Sequence, residues 1–157
     1  MLLRTIRPYL FLVVITLVVS SCGIKVPTFQ SMSELKVDKF TKREITVKGS
    51  IVMNNPNKNS LNLNNIRLQM SSNKNVLGTF EQDINAPVAA FSNFTIPFSI
   101  SFDPVQLGQN LVSTALSAFS DQKLKLAFKG HVQVSSKKKE QGGIKIPIIY
   151  SKSIKFR

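Results

Sequence analysis

The chain has 157 residues, 43% apolar and 18% charged, a balance that excludes a disordered chain and suits one compact domain. Its 21 lysines and arginines against 8 acidic residues give a net charge of +13, which points to anionic partners. With 1 cysteine and 1 histidine it can build neither a disulfide framework nor a zinc site of several such ligands.

The first segment reads as a leader rather than as part of the domain. Arg4 and Arg7 form a basic region, Leu10 to Val19 is apolar except for Thr16, and small residues follow at Ser20 and Ser21. Ten such residues are about half of a membrane-spanning helix, so residues 1–21 are expected to be a secretory signal peptide. Val19-Ser20-Ser21-Cys22 resembles the lipobox of bacterial lipoproteins, which makes Cys22 the expected lipidation site and explains why a secreted chain keeps one cysteine. Acyl chains of the palmitate kind contribute about 0.8 kcal/mol per buried methylene, an effectively permanent membrane anchor when several are attached. Gly23 stands where lipoproteins kept at the inner membrane carry aspartate, so the resemblance implies an outer-membrane lipoprotein facing the periplasm. Residues 22–33, ending in "GIKVPTFQSMS", are expected to be a flexible tether of about 17 Å root-mean-square span. The folded domain is then expected over 34–157. Without Arg4 and Arg7 the mature chain has 19 basic and 8 acidic residues, a net +11.

From Ile45 the apolar residues alternate through Val47, Ile51 and Met53, with Gly49 filling one step, which predicts a half-buried strand. Asn54-Asn55-Pro56-Asn57 closes it: proline presets a turn backbone and the asparagines can bond their own backbone. In the next run Leu61 and Leu63 are odd-numbered but Ile66, Leu68 and Met70 even-numbered, which predicts a β-bulge at Asn64-Asn65. After a turn at "SSNK", "NVLGTF" predicts a short strand. Phe94, Ile96, Phe98, Ile100 and Phe102 then alternate with polar residues and Pro97, a strand expected at a sheet edge because proline cannot donate to the ladder. Asp103 and Pro104 suit the start of a helix over about 104–119, with an apolar stripe at three- and four-residue steps. Leu124, Leu126, Phe128, Val132 and Val134 alternate with Lys123, Lys125, Lys129 and His131. The turn-forming "SSKKKEQGG" leads into Ile144, Ile146, Ile148 and Tyr150. About seven strands and one helix predict an all-β fold, an antiparallel β-sandwich.

"IVMNNPNKNSLNLNNIRLQM" resembles the Asn-Pro-Asn segment of the type 2 late embryogenesis abundant (LEA) proteins, also called the water stress and hypersensitive response domain. The likeness continues through "NVLGTF", "FSNFTIPFSISF", the segment from Pro104, "KLKLAFKGHVQV" and "IKIPIIYSKSIKF", covering nearly all of 33–157. It implies an immunoglobulin or fibronectin type III-like sandwich and a protective role in desiccation and other stress, with no catalytic residues to transfer.

The residues give the same expectation from chemistry. His131 falls on the outward register of a lysine-bearing strand, with no nucleophile beside it and no third group to orient it. Glu81 and Asp83 share a strand face, where surface charge accounts for them better than acid–base work. No phosphate loop, zinc spacing or calcium loop occurs, so no enzyme, cofactor or metal is expected, and no nucleic-acid motif accompanies the charge. Lys123, Lys125, Lys129, Lys137, Lys138 and Lys139 are the expected contacts to anionic lipid headgroups or envelope proteins. The plain alternative is a solvated basic surface. Asn54, Asn55, Pro56 and Asn57 are expected to be a structural turn first and an interaction loop second. Two functions compete: weak protective contacts with membranes or proteins, and a specific envelope-assembly subunit that pairs through an edge strand.

Overall fold

In the computed structural model, described over residues 25–107, 123–136 and 143–155, two antiparallel sheets pack face to face. The strands are β1 (Thr28–Phe40), β2 (Ile45–Asn55), β3 (Leu61–Ser72), β4 (Asn75–Val88), β5 (Ser92–Phe102), β6 (Lys123–Ser136) and β7 (Ile144–Lys155). One sheet has the order β1-β2-β5 and the other β4-β3-β6-β7, so the all-β sandwich predicted from alternation is the fold observed. The chain changes sheet at the Asn-Pro-Asn corner between β2 and β3, again between β4 and β5, and a third time between β5 and β6.

Period-two patterning decides which residues form the core. Ile45, Val47, Ile51 and Met53 from β2 meet Ile66, Leu68 and Met70 from β3 and Leu126, Phe128 and Val132 from β6, all buried. Phe98 and Phe128 join the sheets edge to face, with ring centroids 5.7 Å apart, and Phe80 stands 6.4 Å from Phe98. A Cβ on Gly49 would lie 2.8 Å from the Phe98 ring and 3.0 Å from Leu35, so this step of β2 is left empty to seat its cross-strand neighbour Phe98. Gly130 lies against β3, where a Cβ would stand 2.9 Å from the Leu68 Cα, and only glycine permits that approach.

The bulge expected at Asn64-Asn65 is present. Both neighbours of β3 shift register between Leu63 and Asn65, which carries the inward face from odd to even numbers. The β3–β4 turn places Asn73 at φ 48° and Lys74 at φ 71°, the two positive values of a hairpin that follows the strand twist. Pro97 lies in β5, an outer strand of its sheet, as expected.

Two expectations are corrected. Residues 28–33, expected as tether, begin β1, which pairs with β2 from Thr28↔Asn54 to Phe40↔Ile45. The domain therefore starts before residue 34. The strand escapes a period-two reading because its register shifts between Phe29 and Ser31, Ser33 and Lys36, and Val37 and Lys39. Each irregularity breaks the alternation, so the residues packed inward, Phe29, Met32, Leu35, Val37 and Phe40, recur mostly at steps of three. The short strand at 75–80 also continues to Val88. At the expected helix, Asp103 Oδ1 accepts the Val105 N–H at 2.9 Å and Pro104–Leu107 forms a 3₁₀ turn; the remainder of 104–119 lies outside the described residues.

Each outer strand carries a device that hinders further pairing. The register of β1 is broken, β4 has Asn85 at φ 50° and Pro87, β5 has Pro97, and β7 has Pro147. Prolines and bulges on edge strands blunt them against other chains.

Candidate functional site

The Asn-Pro-Asn corner becomes a buried hydrogen-bond knot. Asn55, 0% exposed, ends β2 with its side chain turned into the protein. Its amide nitrogen donates to Ala89 O at 2.8 Å and Asn59 O at 3.2 Å, and its Oδ1 accepts the Asn57 N–H at 3.1 Å and the Asn57 amide at 2.9 Å. The contact to the Asn57 N–H is the Asx-turn expected from the sequence, closed over Pro56, and the Asn57 amide reinforces it. Asn57 then reaches the segment that precedes β1: its Oδ1 accepts the Lys25 N–H and its Nδ2 donates to Lys25 O, both at 2.7 Å. Its own carbonyl accepts the Phe91 N–H at 3.0 Å.

Three segments distant in sequence are thus fastened at one pole of the sandwich: Lys25, the β2–β3 corner and the β4–β5 turn. Among the described residues no buried side-chain nitrogen or oxygen lacks a partner. A network in which every buried amide atom has a partner fixes a unique geometry, and it commits both amide nitrogens to groups of the protein itself. Asn54 stands apart, half-buried on the outward face, donating to Asn93 Oδ1 at 2.9 Å.

The outward face of the four-stranded sheet carries the second group of expected residues. Lys125 and Lys129 are exposed there, and the cross-strand register adds Arg67 from β3 opposite His131 and Lys145 from β7 opposite Gln133, so the cations are spread along the sheet. Arg67 contacts Glu81 at 3.6 Å. Lys125, Lys129 and Lys145 have no ion pair among the described residues. Lys123 lies at the start of β6, opposite Lys155, at the pole away from the corner. Lys137, Lys138, Lys139 and the expected lipidation site Cys22 lie outside the described residues.

The register also gives His131 its surroundings: Arg67 on one side and Pro147 on the other, in a row that runs out to Glu81. Among the described residues no carboxylate is hydrogen-bonded to the ring, and Asp83 sits opposite Asn65 further along β4. Among the described residues no three histidine, cysteine, aspartate or glutamate side chains gather as a metal site.

On the other sheet, Lys48 donates to Asp38 at 2.7 Å and holds that carboxyl below its usual range. Lys39 does the same to Glu44 at 2.5 Å, with a smaller contribution from Ser101.

Solved structures with this arrangement include that of a putative late embryogenesis abundant (LEA) protein, At2g46140.1. Its TM-score is 0.62 at 12% identity, with 98% of this chain and 84% of that one covered. The chain has an LEA-type fold. The solution structure of AT1g01470 from Arabidopsis thaliana matches with TM-score 0.64 and 11% identity over 88% of this chain and 89% of that one. A crystal structure of a protein from Archaeoglobus fulgidus matches with TM-score 0.56 and 10% identity over 83% of this chain and 98% of that one. No protein-family model and no curated protein sequence matches the chain. At these identities the likeness is one of fold.

Proposed function

We propose that the chain is a non-catalytic lipoprotein of the LEA type 2 kind, held at the outer membrane by acylated Cys22 and facing the periplasm. There it protects membrane and protein surfaces in desiccation or envelope stress through weak contacts. The observation that carries the membrane part is the clamp of Asn57 on Lys25, which ties the chain to the domain three residues after Cys22. Three residues reach about 10 Å at most, so an anchor at Cys22 holds this pole against the bilayer. The protective part rests on the fold shared with a putative LEA protein and on the exposed cations Lys125, Lys129 and Lys145. Partner recognition by an added edge strand is the weaker reading, because the edges carry prolines and broken register.

Mass spectrometry of the N-terminal peptide from cells making the whole chain is expected to find acyl groups on Cys22. Cys22→Ser is expected to release the protein from the membrane fraction. Deleting the gene is expected to lower survival of drying, restored by the wild-type chain and less well by Cys22→Ser. An unmodified cysteine would overturn the anchor, and unchanged survival under drying and envelope stress would overturn the protective role.

A further inference from the structure

Phe91 is 72% exposed, the tip of the β4–β5 turn, and its backbone sits at φ 48°. The left-handed region suits glycine or asparagine, and a bulky residue there is an outlier that local turn geometry does not ask for. The Phe91 N–H is bonded to Asn57 O, so the ring is presented from a fixed backbone. Val26, 52% exposed, adjoins Lys25, which the same Asn57 clamps. Lys25 and Lys58 are exposed in these segments, and no acidic residue occurs in 25–27, 55–60 or 89–92. Two apolar groups among cations, on one rigid pole, have the chemistry of an interfacial membrane contact: apolar side chains enter the headgroup boundary while lysines meet anionic lipid.

We infer that this pole, with Phe91 and Val26 at its tip and Lys25 and Lys58 around them, docks end-on into an anionic lipid surface. The occupant follows from chain direction as well as charge. Cys22, the proposed acylation site, precedes Lys25 by three residues, and the Asn57 clamp fixes where that segment meets the domain. The docking rests on the proposed anchor for its orientation but not for its chemistry. It assigns the contact to residues other than the lysines of β6, since Lys123 lies about 45 Å from this end along a strand of fourteen residues.

The chain has no tryptophan, so Phe91→Trp introduces a single fluorescent reporter. The full chain carrying it is placed in vesicles of phosphatidylcholine with phosphatidylglycerol, with brominated lipid as quencher. Val76→Trp at the opposite pole and Ile149→Trp on the outer sheet face serve as controls. Docking predicts blue-shifted, bromine-quenched emission for Phe91→Trp alone, and Lys25→Gln with Lys58→Gln is expected to weaken the docked state about fivefold per lysine. Solvent-like emission from Phe91→Trp, or quenching at Ile149→Trp instead, overturns the docking. Acyl analysis of Cys22 on the same sample separates the two readings. An acylated chain with unquenched Phe91→Trp defeats the docking alone, whereas an unacylated chain with quenched Phe91→Trp defeats the anchor and supports the docking.

Discussion

Asn55 shows how a residue that reads as surface becomes structural. Asparagine beside proline signals a turn, and turns usually face water. Here the side chain turns inward, and its hydrogen bonds to Asn57, Asn59 and Ala89 replace the water it loses. Asn55→Ala would leave the Asn57 N–H, one Asn57 amide hydrogen and the Asn59 carbonyl short of partners, while Ala89 O keeps the Ser92 hydroxyl; each lost partner costs about 1–3 kcal/mol where the group is buried. Urea denaturation is expected to show a loss of about 3 kcal/mol, with the N-terminal segment freed to proteolysis. Pro56→Ala keeps those hydrogen bonds and mainly loosens the unfolded chain, so its loss is expected to stay below about 1 kcal/mol. Equal losses for the two would show that the turn backbone, not the amide network, holds the corner.

The hairpin of β1 and β2 carries its own electrostatics. Hydrogen bonds from Lys48 and Lys39 lower Asp38 and Glu44 in the folded state. A lowered carboxylate adds stability above its unfolded value and loses it as pH falls through the folded one. Thermal unfolding is therefore expected to show Lys48→Met less stable than wild type at neutral pH, with the gap closing below about pH 4. Both carboxylates are exposed, so the gap should be small and should shrink in salt. The outer strands give another test at this scale. Pro147 removes a donor from β7, whose neighbour Ile149 is 76% exposed. Pro147→Val restores the donor and is expected to raise self-association in light scattering without lowering the unfolding temperature; scattering unchanged from wild type would show that Pro147 does not guard this edge.

At the scale of the molecule, the two sheets are joined by side chains rather than by backbone, and Phe128 stands at the centre of that contact. Phe128→Ala is expected to cost about 3–5 kcal/mol and to lower the protection of amides in both sheets together. Loss confined to the four-stranded sheet would mean that the layers unfold separately. The pole proposed to dock on lipid belongs to this scale too, because Lys25, Asn57 and Phe91 come together only once the crossings from β2 to β3 and from β4 to β5 are made.

Alternation at 45–53, 94–102 and 124–134 determined the sandwich class, and the parity switch between Leu63 and Ile66 determined the bulge, because period two is a property of each strand on its own. The Asx-turn was legible for the same reason, since its partners lie two residues apart. β1 was hidden because its broken register carries the inward face at steps that only a partner strand explains. Tertiary structure alone decided that Asn57 grips Lys25, thirty-two residues away, that Arg67 joins the lysine face, and that Phe91 shares the pole at which Lys25 is held. Such contacts depend on which strands become neighbours, and hydrophobic patterning fixes the faces of strands without fixing their order.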